Sequence, residues 1–91
     1  MLRPDKEELA SAALDYRKQV GKHLSRLRNE MNSGEGMNQD DFAYKAGLHR
    51  SHVGKIENAT LNVTIESLYK YARGLEMDVW EMLRLEDDSP G

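Results

Sequence analysis

His49 and His52 stand three residues apart, a spacing that can place two imidazoles on one side of a helix and hold a metal ion. No third ligand sits nearby in sequence and the chain has no cysteine, so no metal site is expected. Asp40–Asp41 and Asp87–Asp88 are adjacent carboxylates. Sequence neighbours point to different sides of a helix, so neither pair suits acid–base work. The three histidines and the scattered serines follow no triad pattern, and no glycine-rich phosphate loop follows a strand. An enzyme is not expected, and no cofactor is implied.

The chemistry that remains is recognition. Between His49 and Asn58, Val53 and Ile56 are the apolar positions. If they face a core, a step of about 100° per residue sends Ser51, Lys55 and Asn58 to the opposite face. Arg50 and Gly54 then lie on one shoulder, His52 and Glu57 on the other. That outward face is short, polar and basic, with no acid at its centre. Such a helix fits the major groove of DNA, where Arg or Lys addresses guanine and Asn or Ser addresses other base edges. An ordinary solvated helix presents a similar face, so periodicity alone leaves both readings open.

Other elements must position this helix. Asp5, Glu7 and Glu8 suit the positive end of a helix dipole, and Pro4 suits its first position. Leu9, Ala13, Tyr16, Val20, Leu24, Leu27 and Met31 then recur in steps of three and four, one stripe on a helix. Gly21 predicts a kink or break. Residues 32–36 form a loop. Asn38 and Asp41 predict a helix N-terminus, with Phe42, Ala43 and Ala46 facing inward and Gly47 ending the element. Thr64 caps a fourth helix with an inner face of Ile65, Leu68, Tyr69, Ala72 and Leu75. Asp78 and Glu81 predict a second capping box, opening a short fifth helix with Trp80 and Leu83. No segment alternates like a strand. The expectation is one all-α domain over residues 1–91. It has an N-terminal helical extension at 4–16, a five-helix core at 17–85 and a disordered tail at 86–91.

The net charge of −3 argues against a nucleic-acid partner until it is resolved along the chain. Residues 17–73 carry ten Lys or Arg against six Asp or Glu, whereas residues 74–91 carry one Arg against six acids. The local patch, not the total, sets an electrostatic footprint. The chain lacks an apolar run long enough to span a membrane and lacks a signal peptide. Together with the absence of cysteine, this suits a cytoplasmic protein.

Helix, a tight turn at Gly47, helix is the arrangement that lets two helices meet at roughly a right angle. Residues 21–83 resemble the phage repressor and Cro-like helix-turn-helix family, also called XRE. The resemblance rests on Gly21 to Arg28, Asn38 to Ala43, Gly47 to Glu57, Asn62 to Leu68 and Ala72 to Leu75. Leu48 to Leu68 is most similar to the controller proteins of restriction–modification systems. The resemblance implies a five-helix repressor-like bundle. It implies base contacts at Arg50, Ser51, His52 and Lys55, and phosphate contacts at Gln39, Asn58, Thr60 and Asn62. It also implies an internal brace between Arg28 and Glu57. The chain departs from the pattern at His49, where a Ser, Thr or Asp cap is usual, at Gly54, and in a longer loop between Arg28 and Gln39. Ser51 could therefore serve capping instead of reading.

Tyr69, Tyr71, Met77, Trp80, Met82 and Leu85 are many large apolar groups for a short C-terminal segment. Aromatic residues and Met are enriched at interface centres. Tyr71, Met77, Trp80 and Met82 are the candidate dimer contacts, in agreement with the family habit of dimerising through the last helices. The stripe from Leu9 to Val20 is a second candidate interface. The sequence reading is thus a homodimeric transcriptional regulator on double-stranded DNA with an inverted-repeat operator. A protein-interaction module such as an antitoxin or adaptor, reusing the fold, is the competing reading.

Overall fold

Five helices follow one another in the computed structural model, which describes residues 5–85. They are α1 (Lys6–Glu30), α2 (Gln39–Ala46), α3 (Arg50–Glu57), α4 (Ile65–Leu75) and α5 (Val79–Met82). No strand occurs among the described residues, as the lack of period-two patterning implied. Pro4 and the expected tail at 86–91 lie outside the described residues.

The Asp5 side chain caps α1 by accepting from the Glu8 N–H at 2.7 Å. The helix runs unbroken through Gly21, contrary to the kink that residue predicts. Gly21 is buried, and a Cβ there would overlap the backbone carbonyl of Glu57. The glycine lets α1 and α3 touch backbone to backbone. That packing offsets its local cost of about 1 kcal/mol. No residue from Asp5 to Tyr16 is buried.

The remaining ends follow the local chemistry. Asn38 accepts from the Asp41 N–H at 2.8 Å and donates to its carboxylate at 3.2 Å, closing the start of α2. Gly47 ends α2 at φ 73°, a left-handed conformation that favours glycine. Thr64 accepts from the Ser67 N–H at 3.0 Å at the start of α4. Asp78 precedes α5 without a side-chain cap bond, so the predicted second capping box does not form.

Leu24, Phe42, Val53, Tyr71 and Met82 are the large side chains closed off completely. Phe42 and Tyr71 stack at a tilt, ring centres 4.6 Å apart. This core corrects two sequence expectations. The buried side of α4 is Ser67, Tyr71, Ala72, Gly74 and Leu75, whereas Ile65 is 83% exposed and Tyr69 also faces solvent. On α5, Met82 is buried and Trp80 is 68% exposed. Tyr71 and Met82 therefore belong to the interior of the single chain and have no surface to offer a partner. Trp80 and the half-buried Met77 remain accessible.

Candidate nucleic-acid interface

The helix α3 is held from behind by one carboxylate. Glu57, the last residue of α3, receives four hydrogen bonds. Arg28 donates to both oxygens, at 2.7 Å from Nε and 2.8 Å from Nη2. Tyr71 donates at 2.6 Å and Gln39 at 3.0 Å. Arg28 also donates from Nη1 to the Met37 carbonyl at 2.6 Å. One buried cluster thus joins α1, the segment before α2, α2 itself, α3 and α4. Glu57, although at the end of the helix whose outer face is exposed, is an internal group, with its side chain only 6% exposed.

Electrostatics in the cluster are mutually supporting. Burial opposes the charge on Glu57, but the hydrogen bonds from Arg28, Tyr71 and Gln39 outweigh it and hold the carboxyl below its usual range. The hydrogen bond to Glu57 raises the Arg28 guanidinium's proton affinity against the effect of burial. Burial, reinforced by the Glu57 carboxylate, keeps the Tyr71 phenol protonated far beyond its ordinary range. Sequence reasoning missed Tyr71 in this role. The stripe Leu68, Tyr71, Ala72 and Leu75 is as regular as the one drawn through Tyr69, so it offered Tyr71 as an inward residue without singling it out.

In front of the brace, Val53 and Ile56 are buried and Arg50, Ser51, Lys55 and Asn58 are exposed. Arg50 lies 3.7 Å from Asp40 of α2, with both side chains largely in solvent. An exposed pair of this kind contributes about 0–1 kcal/mol, so Arg50 can exchange Asp40 for another partner at little cost. His52 is half-buried and turned toward α4, its Nε2 3.5 Å from the Ser67 hydroxyl. His49 occupies the N-cap position of α3 without a cap bond, and its Nδ1 lies 3.0 Å from Ser51 Oγ. Ser51 is therefore tied to His49 and does not cap the helix. Gly54 lies beneath the Gln39 side chain, which a Cβ there would approach at 3.5 Å.

The residues expected at phosphates fall at two places. Gln39 is the first residue of α2, its amide directed at Glu57. Asn58, Thr60 and Asn62 form the loop after α3. Asn58 accepts from the Thr60 N–H at 3.1 Å and from its hydroxyl at 2.8 Å, and Ala59 takes φ 64°. Asn62 accepts from Arg17 of α1 at 3.2 Å.

The family described as Helix-turn-helix matches residues 24–79. The chain belongs to the XRE-type helix-turn-helix family. It is 29% identical over 77 residues to an uncharacterized HTH-type transcriptional regulator of Sinorhizobium fredii. That match covers 85% of this chain and 95% of the other protein. Among solved structures it resembles the restriction-modification controller protein C.AhdI from Aeromonas hydrophila, with a TM-score of 0.64 and 31% sequence identity. The likeness covers 78% of this chain and 97% of the controller protein. The matched region contains α2, the Gly47 turn and α3, together with both halves of the Arg28–Glu57 pair.

Proposed function

We propose that this chain is a DNA-binding transcriptional regulator that binds an inverted-repeat operator as a homodimer, with α3 in the major groove. Family membership and the likeness to a named regulator support the coarser part of this reading. One observation carries the finer part. The only large cationic side chains on α3, Arg50 and Lys55, both face solvent, while the opposite face is locked into the core by Val53, Ile56 and Glu57. A rigid helix with a basic, polar outer face can enter a groove without reorganising. Arg50, Ser51 and Lys55 then read base edges, while the start of α2 and the loop from Asn58 to Asn62 set the register on phosphates. His52, drawn toward Ser67, reads at the margin.

Substituting Lys55 or Arg50 by alanine is expected to weaken binding by about 1–3 kcal/mol per lost base contact and to relax sequence preference. Fluorescence anisotropy against a preferred duplex and a scrambled one measures both effects. Equal affinity of parent and variants for the preferred duplex would remove α3 from the reading role.

The dimer is supported by apolar side chains that the single chain leaves uncovered. Ile65 and Tyr69 lie four residues apart on α4, and Trp80 projects from α5. We expect Trp80→Asp combined with Tyr69→Asp to shift the protein from dimer to monomer in analytical ultracentrifugation while its helical circular dichroism persists. A parent chain that sediments as a monomer at all accessible concentrations, and on DNA, would defeat the dimer.

A further inference from the structure

The loop after α3, Asn58 to Thr64, contains no Lys or Arg. A loop placed against phosphates would thus have only amides and hydroxyls with which to meet a row of negative charge. Lys55 of α3 borders the loop at Leu61, and one further cation reaches the loop from elsewhere in the chain. Arg17, on the part of α1 that precedes the matched residues 24–79, donates from Nη1 to Asn62 Oδ1 at 3.2 Å. The contact spans 45 positions in sequence.

The loop is a thin wall between the reading face and α1. Leu61 lines a shallow recess together with His49, Ser51, His52 and Lys55. The same Leu61 lines a groove of about 240 Å³ on the other side, where Tyr16, Arg17 and Val20 of α1 face Ile56 and Ala59. Arg17 is half-buried and lines that groove, and Asn62 is exposed. A guanidinium has five N–H donors in a fixed fork. One bond to Asn62 leaves the rest of the fork for a further acceptor at the loop's surface. Arginine suits this task because its planar fork matches phosphate geometry and its charge is permanent.

We infer that Arg17 is a phosphate-binding residue of the DNA interface, held in place by Asn62, and that the part of α1 preceding the matched residues supplies the positive charge its recognition-helix loop lacks. The inference rests on the DNA-binding reading above. A DNA phosphate is the ligand, and the contact is independent of base sequence.

The test measures affinity of the full chain for a preferred and an unrelated duplex over a series of KCl concentrations, for the parent, Arg17→Lys and Arg17→Gln. A phosphate contact predicts that Arg17→Gln weakens binding to both duplexes by the same factor. It also predicts that the slope of log affinity against log salt falls by about 0.9 for each protomer bound. Arg17→Lys, which keeps the charge, should retain the parental slope. Both variants lose the fork and only one loses the charge, so their difference in slope is insensitive to any shared loss of stability. An Arg17→Gln slope equal to that of the parent overturns the proposal and leaves Arg17 a strut between α1 and the loop. A loss confined to the preferred duplex overturns it too, since that pattern belongs to a residue acting through the reading helix. A parent chain that binds neither duplex overturns the DNA-binding reading itself, and this proposal with it.

Discussion

Glu57→Ala is expected to cost about 3–5 kcal/mol of folding stability, the penalty for breaking a buried ion pair by removing one partner. The loss is a large share of the roughly 5–15 kcal/mol available to a small domain. Three donors besides Tyr71 Oη lose their acceptor at once: Arg28 Nε, Arg28 Nη2 and Gln39 Nε2. Arg28, whose side chain is 8% exposed, is left as a buried cation without a counter-charge. Urea denaturation of parent and variant measures the effect, and a loss below about 1 kcal/mol would place the cluster among weak surface pairs. Glu57→Gln keeps the shape but turns amide hydrogens toward donors, so it too is expected to destabilise. The pair also sets an acid limb. Because the folded carboxyl gives up its proton at lower pH than the unfolded one, with an ordinary value of 4.5, its stabilisation is full above that value. It is lost as pH falls through the lower folded-state value. Glu57→Gln should flatten this part of the stability–pH curve and leave the region above pH 6 parallel to the parent.

Gly21→Ala is the second large effect, and its sign is the informative part. On an ordinary exposed helix the change would add roughly 1 kcal/mol through helix propensity. Here the new Cβ would overlap the Glu57 carbonyl oxygen and lie 2.9 Å from its carbon and 3.0 Å from the Ile56 carbonyl oxygen. These are backbone atoms, so no side chain can turn aside, and α1 must part from α3. We expect a net loss of about 1–3 kcal/mol, the usual cost of overfilling a close-packed contact. Binding to DNA should weaken as well, because α3, the proposed reading helix, moves relative to Arg28 and Arg17. Gly54→Ala provides the contrast, since its Cβ would meet only the Gln39 side chain at 3.5 Å and α3 should gain stability. Thermal melts of the two variants give opposite signs if the account is right. Equal shifts in the same direction would contradict it.

How the sequence revealed these features, and where it did not, follows from the range of the interactions. Asn38, Gly47 and Thr64 act within a few residues of themselves, so their caps and turn were legible directly. The Arg28–Glu57 pair spans 29 positions and entered through family resemblance, because no local spacing points to it. Gly21 was misread because its local cost is visible in sequence and the approach of α3 that offsets it is not. Tyr69 and Tyr71 differ by two positions on α4, and hydrophobicity alone does not separate two overlapping stripes. Tyr71 was decided by the buried carboxylate that its hydroxyl meets. Met82, read as a surface contact alongside Trp80, is buried, and the reason for the misreading is related: in a four-residue helix, periodicity gives little phase information. Asn62 was placed by resemblance at the loop, but its partner Arg17 lies outside the family pattern and had no signal before the fold was known.

The central claim is that the outward face of α3 reads duplex DNA, and selection of binders from a random duplex pool by the full chain tests it most directly. The account predicts enrichment of an inverted repeat with half-site centres about one helical turn, or a multiple of it, apart. It also predicts that Lys55→Ala loses or alters the base preference within each half-site while the spacing is kept. Absence of any enriched sequence at low salt, or enrichment of an unchanged half-site by Lys55→Ala and Arg50→Ala alike, would contradict it.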